Sequence, residues 1–185
     1  MAKIAINEIR TVIEDTRASK LGGLNIAFTL WEAAVVPKLL WNSETWLNIQ
    51  PKTIKLLNDI FNQFYRSILR ISTGCPKVTL YWQTGSYLPQ NIILKNKLNF
   101  LHHLSNLPEP SLAKEVFRIQ ETSSSSSSNL LQELREHLSN LGIASQEGIS
   151  KMIWKRQIRK YISTQNKNDL IGMVANSKKT NLKIS

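Results

Sequence analysis

PKTIKLLNDIFNQFYRSILRISTG, residues 51 to 74, is the stretch on which the reading of the fold turns. Ile54, Leu57, Phe61, Phe64, Ile68 and Ile71 follow one another at intervals of 3, 4, 3, 4 and 3. That spacing sets all six on one face of an α-helix. Pro51 stands where a first helical residue needs no N–H partner, and Gly74 stands where a helix can end. The pattern predicts one helix over about 51–73.

Working outward, Leu24 to Trp41 is apolar on most sides but is interrupted by Asn25, Thr29, Glu32, Pro37 and Lys38. This is poor material for a membrane span and better material for a buried helix. Pro37 should bend or divide it, because it removes a backbone donor. Before it, Ala5, Ile9, Val12 and Ile13 recur at helical spacing, so a one-faced helix is expected near 2–20, ended by Gly22 and Gly23. After residue 71, turn formers leave room for one short helical stretch around 79–84. Further helices are expected over 90–106, stopped by Pro108 and Pro110, and over 111–121. Leu130, Leu131, Leu134, Leu138 and Leu141 mark another, closed at Gly142, and a final pair is expected at 149–163 and 168–176. No stretch alternates as a strand would. The expected fold class is all-α: a helical bundle over 1–121, a flexible connector at 122–129 around Ser123 to Ser128, and a smaller basic helical region over 130–185.

With 185 residues and 42% hydrophobic content, the chain can bury a core without cross-links. Cys75 is the single cysteine, which excludes a disulfide within one copy and suits a reducing compartment. The N-terminal residues mix acids and bases with isolated isoleucines and lack the apolar run of an export signal. An intracellular protein, nuclear or cytoplasmic, is expected. The formal charge is +11, and it is unevenly placed. Residues 51–118 carry nine basic and three acidic side chains, 119–148 one basic and four acidic, and 149–185 nine basic and one acidic. Two positive blocks separated by an acidic segment form the footprint of a polyanion binder. Solubility or attraction to an anionic membrane surface is the plainer alternative.

On the predicted helices these charges acquire places. Lys52, Lys55, Asn62, Arg66 and Arg70 would form a polar rail opposite the Phe61/Phe64 stripe, able to track one backbone of a duplex or to be a simple solvated face. Near the C-terminus Lys151, Lys155 and Arg159 stand at i, i+4 and i+8, with Arg156 and Lys160 beside them and Trp154, Ile158, Tyr161 and Ile162 turned inward. No acid lies close by to neutralise them, so phosphate contact is expected there. Trp31, Trp41, Trp46, Trp82 and Trp154 read mostly as packing residues. Glu32, set among apolar neighbours, reads as a partly buried anchor paired with Lys38 or an arginine of the first helix. His102 and His103 are adjacent and would diverge by roughly 100° on a helix, His137 is remote, and no metal-ligand spacing exists. Asp15, Asp59 and Asp169 are too scattered for a two-metal site, and no phosphate loop, nucleophile elbow or zinc motif occurs. Neither catalysis nor a metal or cofactor is expected.

Several short motifs occur together in one order: the W-E pair Trp31–Glu32, the V-x-P-x-L-L run from Val35 to Leu40, and an aromatic before N-S-x-T-W at Trp41 to Trp46. Downstream come G-x-P at Gly74 to Pro76, G-x-x-x-P at Gly85 to Pro89, and I-S-K-x-x-W-K at Ile149 to Lys155. In this combination the chain resembles the region after the catalytic palm in reverse transcriptases of non-LTR retrotransposons. The resemblance implies a thumb-like helical bundle that holds a template–primer duplex by its backbone, and a fragment that begins after the palm, whose aromatic-x-D-D turn is missing. It implies RNA, DNA or an RNA–DNA duplex as partner, with a palm-bearing chain as a further one. By that likeness 22–46 is thumb core, 51–73 the duplex-facing helix, and 149–163 part of a C-terminal extension. A free-standing or host-adopted helical nucleic-acid-binding protein is an alternative, as is a helical protein-interaction module whose charge serves solubility.

Overall fold

The computed structural model describes Thr11 and residues 23–122, 130–143 and 148–181, and among them every regular element is helical, as the sequence pattern requires. We number them α1 (Gly23–Leu30), a π-helical turn (Trp31–Val35), α2 (Val36–Leu39), a 3-10 turn (Ser43–Thr45), α3 (Pro51–Leu69), α4 (Lys77–Thr84), α5 (Pro89–Ser105), α6 (Leu112–Thr122), α7 (Leu130–Asn140) and α8 (Lys151–Asn181). The helix expected near 2–20 lies, save Thr11, outside the described residues, and so do the serines at 123–128.

Contacts gather the chain into two compact units, one of 1–41 with 51–89, the other of 42–50 with 90–185. The grouping does not divide at the serine run. The reason lies in α5, whose side chains bond to residues far beyond that run: Asn91 to Asn166, Lys97 to Glu133, and His102 to the carbonyl of Ile149.

In the first unit the core is aromatic. Trp31 lies stacked on Phe64 with ring centroids 3.8 Å apart and 10° between planes, while Phe61 meets it edge-on at 5.2 Å. Tyr65 meets Tyr81 edge-on at 5.4 Å. Trp31, Phe61 and Phe64 have no exposure at all, so each ring contributes its full burial in addition to geometry-specific contacts of about 1 kcal/mol per pair. Burial raises the Tyr65 phenol to about 12 and lifts that of Tyr81 as well. Both rings therefore stay neutral at any physiological pH.

Pro37 does not divide the helical run, which stays right-handed through Leu30, Val35 and Val36; a π-helical turn just before the proline accommodates it. The Val36 N–H donates to the carbonyl of Trp31, five residues back, and this widened turn precedes the proline. Such a turn leaves space where the pyrrolidine ring would otherwise meet the carbonyl four residues before it. Glu32, expected to be partly buried, is exposed on that turn, because Trp31 and Val35 take the inward positions.

The helix predicted over 51–73 stops at Leu69. Arg70 occupies the left-handed region at φ 53°, and the Ile71 N–H returns to the carbonyl of Arg66, 3.2 Å away. This is a Schellman closure with arginine at the position that usually holds glycine. Sequence pattern pointed to Gly74 as the stop because nothing in the apolar spacing marks Arg70. The expected final pair of helices is likewise one helix, α8. Its polar middle does not break it: Thr164 Oγ1 donates to the Lys160 carbonyl at 3.1 Å, Gln165 donates to Tyr161 Oη at 3.0 Å, and Asn166 accepts from Asn91 at 3.1 Å.

In the second unit α5 is the hub. Lys97, only 2% exposed, reaches Glu133 of α7 at 2.5 Å, and Asn91 Nδ2 donates both to Asn166 and, at 2.8 Å, to Asp169 of α8. Ser43, fully buried, accepts from Asn96 Nδ2 at 3.0 Å. The N-S-x-T-W motif thus has a structural meaning. Asn42 adopts φ 56°, Ser43 ties to α5, and Thr45 Oγ1 donates to the Asn42 carbonyl at 2.9 Å. Gly85, at φ 66°, closes α4 in a conformation that other residues enter at a cost, which accounts for the first position of the G-x-x-x-P motif.

Candidate nucleic-acid interface

The first half of α8 begins with a cap. Ser150 Oγ accepts from the Ile153 N–H at 3.4 Å, and its carbonyl takes the Trp154 N–H at 3.0 Å, satisfying donors that a helix start leaves open. Trp154, 1% exposed, lies against His102 of α5 with centroids 4.8 Å apart and 23° between planes. The same imidazole contacts the Ile149 carbonyl through Nε2 at 2.8 Å, which fits Nε2–H as the donor. Ile149, Ser150 and Trp154 of the I-S-K-x-x-W-K motif therefore fix where α8 starts and which way it is rotated.

That rotation turns Lys151, Lys155, Arg156, Arg159 and Lys160 outward. All five are exposed, while Trp154, Ile158 and Ile162 are buried at 1% or less. Among the described residues, none of the five cationic groups forms an ion pair. The nearest acid along the helix, Asp169, accepts from Asn91 instead. Lys167, which sequence reading did not single out, is exposed on the same helix and extends the positive face. Its spacing of eight from Arg159 was the available signal.

Further along, Tyr161 Oη contacts Nδ1 of His137 on α7 at 2.8 Å and accepts from Gln165. Burial lowers the His137 pKa, with the carboxylates of Glu136 and Glu133 opposing and Lys97 assisting. With the proton on Nε2, the neutral ring accepts a hydrogen bond at Nδ1 from the tyrosine hydroxyl.

The rail expected on α3 comes apart. Lys52 and Lys55 are exposed as expected. Asn62 is only 5% exposed and faces inward. Arg66 folds back over the helix end, donating to the carbonyl of Ser72 and, at 2.5 Å, to that of Cys75. Arg70 is exposed but stands past the helix end, in the closing turn. The rail thus fails within the helix, at Asn62 and Arg66, as well as past its end, at Arg70. Lys52 and Lys55 belong to the first unit and the five cations of α8 to the second.

Of the five tryptophans, read mostly as packing residues, two are exposed, Trp41 at 80% and Trp82 at 55%. His102 is buried and His103 exposed, divergent as their adjacency requires. Among the described residues, no three His, Cys, Asp or Glu side chains come together as a metal site, and no helix is long and apolar enough to cross a membrane. Compared with protein-family models, curated proteins and solved structures, the chain matches none of them.

Proposed function

We propose that this chain binds nucleic acid non-catalytically, through the phosphate backbone, in the manner of the thumb and adjoining region of a non-LTR retrotransposon reverse transcriptase, inside the cell. The observation that carries the reading is α8: five exposed cations within ten residues, on a helix whose opposite side is anchored by Trp154, Ile158 and Ile162. Phosphates attract such a surface because each contact releases condensed counterions. The motif likeness adds the palm of a polymerase as a second partner and RNA, DNA or their hybrid as ligand. Catalysis is not proposed, since the carboxylates a two-metal polymerase site requires are scattered along the chain.

The test is binding of a labelled RNA–DNA duplex across a salt series. Affinity falling steeply between low and physiological salt supports the reading, as does a shallower slope when Lys151, Lys155, Arg156, Arg159 and Lys160 are replaced by glutamine. A folded protein that fails to bind at low salt would sink it. That result would favour a helical interaction module, for which α6 offers a specific feature: Leu112, Val116 and Ile119, at helical spacing, are 78%, 46% and 59% exposed.

A further inference from the structure

We infer that Trp41, in the first unit, is a stacking platform for an unpaired base of a single-stranded nucleic acid, with Lys38 beside it for the adjoining phosphate. The inference goes beyond the α8 reading and does not rest on it. Trp41 is 80% exposed, yet the chain on both sides of it is fixed. Leu40 is buried, and its N–H donates to the Val36 carbonyl at 2.9 Å. Asn42 turns the backbone at φ 56°, and its carbonyl takes the Thr45 N–H at 3.1 Å and Thr45 Oγ1 at 2.9 Å. The indole is thus displayed from an ordered backbone, so little freedom is lost when a ligand meets it.

An exposed indole can serve a protein, a lipid surface or a base, and its neighbours decide among them. A protein interface or a membrane surface calls for further large apolar side chains around the ring. Within four residues of Trp41 the exposed ones are Pro37, Lys38, Asn42 and Thr45, all polar but the proline. The helical turn persists to Leu40, so a spacing of three residues brings Lys38 beside Trp41. Among the described residues Lys38 forms no ion pair, and Glu44, the nearest acid along the chain, is half-buried in the following turn. Over the described residues of the first unit six cations stand against two acids, Glu32 and Asp59, and Asp59 is already paired with Lys77. An open ring with a free ammonium at its side, in positive surroundings, supplies both contacts that single-strand binding uses: the base stacks and the cation meets the phosphate. A duplex closes its base faces against one another, so the ligand is single-stranded. Trp82, 55% exposed, has no cation within four residues of it along α4, and it serves as the contrast.

The experiment follows tryptophan emission of the full chain with Lys151, Lys155, Arg156, Arg159 and Lys160 replaced by glutamine, so that phosphate contact on α8 does not mask the site. The probes are oligothymidylate, an abasic strand of the same length, and vesicles containing phosphatidylserine. Trp31 and Trp154 are exposed by 1% or less, so a quenching ligand reports the more open indoles. Oligothymidylate is expected to quench, and the abasic strand, with the same phosphates, is not. Trp41→Leu should remove that quench and weaken binding roughly 5- to 150-fold, the range that base–aromatic stacking spans, and Trp41→Phe should recover most of the affinity. Lys38→Gln should lower the salt slope by about 0.7, one phosphate of a single strand. Trp82→Leu should leave the affinity unchanged. All three positions are exposed, so circular dichroism should be unaltered. Equal quenching by the abasic strand, unchanged affinity in Trp41→Leu, no recovery by phenylalanine, an equal loss in Trp82→Leu, or a blue shift on vesicles in place of quenching by oligothymidylate would overturn the inference. With the α8 cations intact, RNA–DNA duplex binding should survive Trp41→Leu. Its loss there would overturn the single-strand assignment, whereas an intact chain that quenches with oligothymidylate but binds no duplex at low salt would sink the α8 reading alone.

Discussion

Arg66 and Arg70 show how one residue type can carry two different structural tasks within a single helix end. Arg66 uses its planar fork to satisfy the carbonyls of Ser72 and Cys75, a geometry an ammonium group cannot reproduce. Arg66→Ala should lower stability by about 2 kcal/mol, the scale of lost charge-assisted hydrogen bonds, and Arg66→Lys should not restore it, as urea denaturation would reveal. Arg70 bears a left-handed backbone that glycine adopts freely. Arg70→Gly should therefore raise stability by about 1 kcal/mol, seen as a higher melting temperature. Lys97 offers a contrasting case. Its ammonium is 2% exposed and is matched by Glu133, whose side chain is 34% exposed. Glu133→Ala strands the buried charge and should cost about 2–3 kcal/mol, allowing for solvent near the carboxylate, whereas Lys97→Met should cost less. None of these roles was legible in the sequence, because each depends on a partner supplied by a turn or by a distant helix.

At the level of elements, periodicity located the inward face of α3 and the existence of α4 through α7, and it missed how helices end and how they continue. A Schellman closure at arginine and a polar but unbroken α8 both arise from hydrogen bonds that apolar spacing does not encode. The same distinction applies to the candidate interface. The cations of α8 were legible because each lies at helical spacing without acids nearby, while the α3 rail failed where Arg66 found carbonyl partners. The α7 and α8 contact adds a pH dependence. His137 has its folded pKa lowered beneath the unfolded value of about 6.5, so its contribution is present above that pH and is lost as the pH falls through the folded value. The melting temperature should drop between pH 7.5 and 5, and His137→Gln should flatten that part of the profile. An unchanged profile in the variant would mean that other groups set the pH response.

Across the whole molecule, the sequence suggested two parts joined at the serine run, and the contacts group residues otherwise because α5 bonds to α7 and to α8. A protease site placed within 123–128 and then cut should yield two pieces that elute together from a sizing column under native conditions. Pieces that separate would show those bonds too weak to hold. The 42–50 segment has a further bearing, on inheritance. It belongs with 90–185, although 51–89 groups with the residues before it. No single cut in the gene can separate the two units whole: a block starting at residue 42 carries 51–89 away from 1–41, and a block starting at residue 90 leaves behind Ser43, the acceptor for Asn96. Recombination that shuffles contiguous coding blocks would break one unit to move the other, because the two are interleaved along the chain.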